Sequence, residues 1–273
     1  MPYTVYEFYT KSEIDRSWLI SIFSDYNFEG FEETSDALKG YVPSDKITAE
    51  KVQQVLTTNE FDKLKFTCQQ LEDKNWNEEW EKNFEPVVID DTVAIRAPFH
   101  QAYKVPYEII IEPKMSFGTG HHATTASMIR GMLQEDLKGK HVLDFGSGTG
   151  VLAILAEMLG AAYIVAIDNE DWAYANCAEN DDRNNCKAIL PVLGDDTYVF
   201  DEKFEVLLAN INRNVILKNI GYWATLLKPK AILMVSGILQ ADEKDVVAEA
   251  AKSGLTVTRT IENNGWMAIT FTN

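Results

Sequence analysis

Hydrophobic and polar positions change their period several times along the chain, and each change predicts an element. Tyr3 to Tyr9 alternates, the period-two signature of a strand, whereas Ile14, Trp18 and Ile22 recur every four residues and mark a helix face. Phe28 to Glu33 and Gly40 to Val42 have the composition of short strands, Thr48 to Thr57 reads as a helix, and Leu64 to Leu71 reads as a strand. The sum, β-α-β-β-α-β, is the order of a small ferredoxin-like α+β domain, expected over residues 1–70. In Asn75 to Phe84 the rings of Trp76, Trp80 and Phe84 stand at i, i+4 and i+8, on one side of a helix. Such a stripe packs between domains or offers an exposed platform to a partner protein. Val87 to Ala97 reads as a strand-turn-strand connection, so residues 71–98 are expected to link the first domain to a second over 99–273.

From residue 140 onward short apolar runs alternate with helical stretches. His141 to Phe145, Tyr163 to Asp168, Ala188 to Leu193, Phe204 to Ala209 and Ala231 to Ser236 read as strands of a parallel sheet with helices between them. Two closing runs, Thr256 to Ile261 and Trp266 to Phe271, flank Glu262-Asn263-Asn264-Gly265. The Asn-Gly pair makes this a hairpin, so the last strand runs antiparallel. An α/β fold of seven strands ending in a hairpin is the layout of the Rossmann-like methyltransferases. The sequence carries no internal repeat and no low-complexity segment.

Composition narrows the setting. The chain of 273 residues is long enough for about two domains, and 46% apolar with 25% charged residues is ordinary globular usage. Forty-two acidic against 25 basic residues give a net charge of −17, which repels polyanions and attracts a basic partner. Direct nucleic-acid binding is thereby disfavoured. Cys68, Cys177 and Cys186 form no CxxC pair, so neither a disulfide framework nor a zinc ribbon is expected. The amino end lacks a basic segment followed by an apolar one, and no apolar run approaches the ~18 residues of a membrane span. Reduced thiols and a cytoplasmic location are the expectation.

The main chemical signal is the strand-to-turn sequence Val142-Leu143-Asp144-Phe145-Gly146-Ser147-Gly148-Thr149-Gly150. Val151 to Leu159 follows as a buried helix closed by Gly160. Its three glycines let the backbone turn tightly and approach a ligand. The spacing G-x-G-x-G differs from the dinucleotide fingerprint G-x-G-x-x-G/A, with Val151 at the third position. A cofactor bearing a zwitterionic amino acid instead of a pyrophosphate suits it better. Asp168 lies 18 residues after Gly150 at the end of the next strand, where a carboxylate accepts from both ribose hydroxyls or caps the following helix. Asn210 ends the strand beyond the switch in strand order, where ligands bind, and either orients the cofactor's amino-acid end or an incoming amine or closes an Asx turn. In the 115–125 segment two glycines surround Thr119, Thr124 or Thr125 can cap a helix, and the adjacent His121 and His122 lack the spacing of metal ligands. Asp195 and Asp196 could reach an adenine amino group or form a solvated turn.

These residues resemble the bacterial ribosomal protein L11 methyltransferases, the PrmA family. The resemblance rests on FGTGHHATT at 117–125, VLDFGSGTGVLAI at 142–154, AID ending at Asp168 and LANI at 208–211, and is closest over about residues 70–273. It implies cofactor contacts at Thr125, Gly146, Asp168 and Asn210, with Gly148 in the same turn. Two stretches depart from the family pattern: Pro113-Lys114-Met115-Ser116 where Pro-Gly-Met-Ala is usual, and Asn210-Ile211-Asn212-Arg213 where Asn-Ile-Leu-Ala is usual.

Family resemblance further implies S-adenosylmethionine as methyl donor, S-adenosylhomocysteine as product and no metal. The implied substrate is ribosomal protein L11, methylated at its α-amine and lysine side chains and recognised through the amino-terminal domain, free and not ribosome-bound. In-line displacement needs a neutral amine near the methyl carbon and no covalent protein intermediate, so no obligatory catalytic base is assigned. The alternatives are a small-molecule methyltransferase and a non-catalytic cofactor-binding docking module.

Overall fold

Two runs of alternating elements, each with its own apolar set, fold as two units, residues 1–83 and 84–273. The computed structural model describes residues 3–24, 26–28, 30–59, 61–70, 85–112, 114 and 118–273. Trp76, Trp80, Phe84, Ser116 and Phe117 lie outside the described residues.

The first unit follows the expected order: β1 (Tyr3–Phe8), α1 (Glu13–Ser24), β2 (Gly30–Glu33), β3 (Leu38–Pro43), α2 (Ala49–Thr58) and β4 (Phe66–Gln70). Its antiparallel sheet has the order β2-β3-β1-β4, so β3 inserts between β1 and β2. α2 begins where the Thr48 side chain accepts from the Lys51 amide, and it buries Val52, Val55 and Leu56. Of the period-four stripe on α1, Ile22 packs against the core and Ile14 and Trp18 do not. Leu19 and Phe23 are fully buried, whereas Ile14 is 72% and Trp18 60% exposed. Arg16, three residues before Leu19, explains the choice: its guanidinium donates to the carbonyls of Thr10 and Ser35 and draws the 16-19-23 stripe inward. Phe23 then packs against Phe8 and Phe28 with ring centroids 4.9 and 5.0 Å apart.

In the second unit β5 (Val87–Ile89) and β6 (Val93–Arg96) form a hairpin, and β7 (Tyr107–Ile110) pairs parallel to β6. The strand-turn-strand expected over Val87 to Ala97 is this hairpin. Residues 87–96 belong to a sheet because Ile89, Val93 and Ile95 alternate into the same core as Ile109 and Ile111.

The remaining elements are α3 (Ala123–Met132), β8 (His141–Phe145), α4 (Val151–Met158), β9 (Tyr163–Asp168), α5 (Asp171–Arg183), β10 (Ile189–Leu193), β11 (Phe204–Asn210), α6 (Arg213–Leu226), β12 (Leu227–Leu239), α7 (Glu243–Lys252), β13 (Thr256–Asn263) and β14 (Trp266–Thr272). Seven strands form one sheet of order β10-β9-β8-β11-β12-β14-β13, parallel except for β14, which runs antiparallel to both neighbours. Strands such as Phe204–Asn210 read as continuous apolar runs because helices cover both faces. Val142, Ile164 and Leu208 enter one core with α3 and α4, while Leu143, Val165 and Leu207 enter the other with α6 and α7. The order reverses between β8 and β11, and a crevice opens at the carboxyl ends of those strands.

Candidate functional site

β8 ends in the glycine turn, and its geometry shows why glycines occupy it. Gly146, Gly148 and Gly150 have φ of +76°, +54° and +79°, values that side chains other than glycine rarely adopt. The amides of Gly146 and Ser147 donate to the Ile167 carbonyl at 2.8 and 3.0 Å, binding the turn to β9. The Gly148 amide donates to Asp168 Oδ2 at 2.9 Å, and the Glu170 amide to Asp168 Oδ1 at 3.2 Å. A carboxylate so held keeps lone pairs for a ligand. α5 starts after Glu170, so Asp168 is not its cap.

Across the crevice, Asn210 is buried at 8% exposure; its Nδ2 donates to Thr125 Oγ1 at 3.2 Å, and its Oδ1 meets no described partner. The Asx cap weighed for Asn210 is made by Asn212, whose side chain accepts from the Val215 amide at 3.1 Å. One departure from the family pattern is thus a helix cap. Arg213 pairs with Asp242 and Asp245, and Lys114 with Glu179. α3 is capped by His122, not by either threonine: its Nδ1 accepts from the Thr124 amide. That ring also meets Trp266 edge-on, with centroids 4.8 Å apart.

Cavities open along the crevice among the described residues. One of about 500 Å³ lies beside Phe145, Glu170, Asp195 and Asp196; another, about 390 Å³, is lined by His122, Trp172, Asn210, Gly237 and Trp266. Both share Gly146, Asp168, Asn169, Ile211 and Asn212, so one elongated ligand can run through both. Asp195 binds Thr197, and Asp196 pairs with Lys218. Of the predicted residues, Gly146, Gly148, Asp168 and Asn210 line the cavities directly, and Thr125 stands behind Asn210. A carboxylate with spare acceptor capacity, a glycine turn without side chains in the way and an unpartnered buried amide oxygen fit a nucleoside carrying an amino acid.

Asp144 was missed by sequence reading, although a lone acid inside the apolar strand His141–Phe145 is the signal for it. It is wholly buried, and burial pushes its carboxyl up to about 7, with Asp168 adding to the rise and the Ala153 amide in the first turn of α4 drawing it part of the way down. Burial pushes the Cys177 thiol up to about 12, with Asp144 adding to the rise. The sign of the pH effect follows from Asp144. Between about pH 4 and pH 7 the folded chain keeps a proton that the unfolded chain releases, so stability falls by about 1.4 kcal/mol per pH unit as pH rises through that window. Subtracting the stability profile of Asp144→Asn from that of the parent, by denaturant titration from pH 4 to 8, is expected to isolate this slope. A flat difference would show that Asp144 ionises in the folded chain as it does in water.

His121 and His122 take part in hydrogen bonds with Thr119 and Thr124. Among the described residues the side chains close enough to share a metal are Glu157, Asp181 and Cys186, and both Glu157 oxygens already accept from the Lys187 and Ala188 amides. Among those residues no helix is long and apolar enough to cross a membrane.

A seven-stranded sheet with its antiparallel β14 between β12 and β13, a glycine turn after β8 and an acid ending β9 define a Rossmann-like methyltransferase. The family model described as ribosomal protein L11 methyltransferase (PrmA) matches residues 16–273, and the chain belongs to that family. Among relatives, the ribosomal protein L11 methyltransferase of Bacteroides thetaiotaomicron is 37% identical over 281 residues, covering 100% of both chains. That of Phocaeicola vulgatus is 39% identical over 252 residues, covering 90% of each. In fold, the chain is similar to the ribosomal protein L11 methylase of Lactobacillus delbrueckii subsp. bulgaricus, with a TM-score of 0.64 at 24% identity, covering 69% of this chain and 98% of that one.

Proposed function

We propose that the protein transfers methyl groups from S-adenosylmethionine to amino groups of ribosomal protein L11. The observation that carries this reading is the pairing, across one crevice, of the Asp168 carboxylate with the unpartnered Oδ1 of Asn210, within a chain of the L11 methyltransferase family. Asp168 accepts from the ribose hydroxyls, Gly146 and Gly148 bring backbone close to the cofactor, and Thr125 orients Asn210. When bound, the cofactor supplies a methyl group made electrophilic by its sulfonium.

The residues around it position and desolvate the acceptor. A lysine amine is neutral in only about one molecule in 2,500 at pH 7, whereas an α-amine is neutral in about a tenth. A neutral amine needs an acceptor for its N–H, and Asn210 Oδ1 offers one. Trp266 and Trp172 line the cavity with apolar rings, which favour the uncharged amine. The residues need no covalent step.

The first unit, with β3 inserted between β1 and β2, is a ferredoxin-like domain that recognises the protein substrate. A net charge of −17 attracts a basic ribosomal protein and repels ribosomal RNA, so the substrate is taken before assembly, in the cytoplasm. Radiolabelled methyl transfer compares these states. Free L11 is expected to be labelled at least about tenfold faster than L11 in assembled large subunits at low salt, as electrostatic steering requires. Equal rates would contradict the preference for free substrate, and labelling of small amines alone would contradict the protein substrate.

A further inference from the structure

We propose that Thr149 and Asn180 are positioning residues that hold the acceptor side of the crevice in register with the cofactor turn. The inference deepens the methyltransferase reading and rests on it for its effect on turnover.

α5 presents Asn176, Asn180 and Asn184 at four-residue spacing to the chain that continues β7. Asn184 Oδ1 accepts from the Ile110 amide at 2.9 Å, and its Nδ2 donates to the Ile110 carbonyl at 2.6 Å. Asn180 Oδ1 accepts from the Glu112 amide at 2.7 Å, and Asn176 Nδ2 donates to the Glu112 carbonyl at 3.3 Å. Three side chains thus supply the bonds that a neighbouring strand would give. Arg183 pairs with Glu112, and Glu179 with Lys114, which gives the departure from the family pattern at 114 a partner.

Asn180 goes further. Its Nδ2 donates to the Thr149 carbonyl at 2.9 Å, and the Thr149 hydroxyl donates to the Gly118 carbonyl at 2.8 Å. Both residues are wholly buried. A Cβ at Gly118 would stand 2.7 Å from Thr149 Oγ1, so the approach requires glycine there. Residue 118 is therefore fastened to Thr149 of the glycine turn directly, and residue 112 through Asn180. Beyond Gly118 the chain reaches His122, the cap of α3, and then Thr125, the partner of Asn210. The turn does not need the Thr149 hydroxyl for its own shape, since its internal bonds are the amides of Gly146 and Ser147 to Ile167 and of Gly150 to Ser147. The hydroxyl serves the link alone, so its loss separates cofactor affinity from turnover.

Thr149→Val keeps the branched shape and removes the donor, while Thr149→Ser restores it. In the valine variant, affinity for S-adenosylhomocysteine is expected within about threefold of the parent and kcat on L11 at least about tenfold lower, because small misplacements cost rate more than binding. Amides 118–125 should exchange hydrogen at least about tenfold faster in the same variant, with the serine variant near the parent in all three readouts. Unchanged exchange and kcat in the valine variant would overturn the proposal, as would a loss of cofactor affinity as large as the loss of kcat, or a loss that serine fails to restore. A parent protein that never labels L11 would contradict the functional reading instead, and the exchange comparison would still decide whether the link exists.

Discussion

Asp168→Ala is expected to lower affinity for S-adenosylhomocysteine by at least about 100-fold while leaving the chain folded. Hydrogen bonds to a charged acceptor contribute about 1.5–3 kcal/mol each, and two to the ribose hydroxyls amount to about 3–6 kcal/mol. The carboxylate is held ready by the Gly148 and Glu170 amides, so little ordering remains to be done when a ligand arrives. Half-buried at the crevice edge, Asp168 is not part of the core, and the alanine variant should melt within a few degrees of the parent. Asp168→Asn should fall between the two, since an amide keeps one acceptor oxygen. Calorimetric titration of the three proteins checks this. Affinity of the alanine variant within threefold of the parent would remove Asp168 from the cofactor site.

Gly237→Ala is expected to damage both stability and turnover. Gly237 sits at a bulge where β12 shifts register against β14, with φ at +89°. A Cβ there would lie 2.1 Å from the Ile211 carbonyl oxygen, which is backbone and cannot swing aside. Strain of about 1–2 kcal/mol in the left-handed region adds to about 1–3 kcal/mol of overpacking. At about 2–4 °C per kcal/mol for a domain of this size, melting should fall by roughly 5–15 °C. Ile211 lies between Asn210 and Asn212, so the overlap is relieved by moving the crevice wall, and methyl transfer should drop by about 100-fold. An unchanged melting temperature together with unchanged transfer would mean that the wall is more compliant than its packing indicates.

Asp168 and Asn210 were legible because strand periodicity placed them at strand ends and the reversal of strand order placed those ends at one crevice. The Asn-Gly hairpin likewise gave β14 its direction. Long-range choices were harder to see. α1 carries two apolar stripes, and the packing of Leu19 and Phe23 with the anchoring of Arg16 to Thr10 and Ser35 goes with the more deeply buried one. β5 and β6 were legible as a strand-turn-strand, but their pairing with β7 was not, because β7 lies beyond an irregular stretch. The asparagine set on α5 has visible helical spacing, but its backbone partners at 110 and 112 come from some 70 residues earlier. His122 as a cap was hidden because its ring takes the place usually filled by serine, threonine or an acid.

Calorimetric titration of the full chain with S-adenosylhomocysteine, with a nicotinamide dinucleotide as comparison, tests the central claim most directly. One equivalent of the sulfur nucleoside bound per chain, and no measurable heat with the dinucleotide, is the predicted result. Tight uptake of the dinucleotide with no heat from the sulfur nucleoside would contradict it.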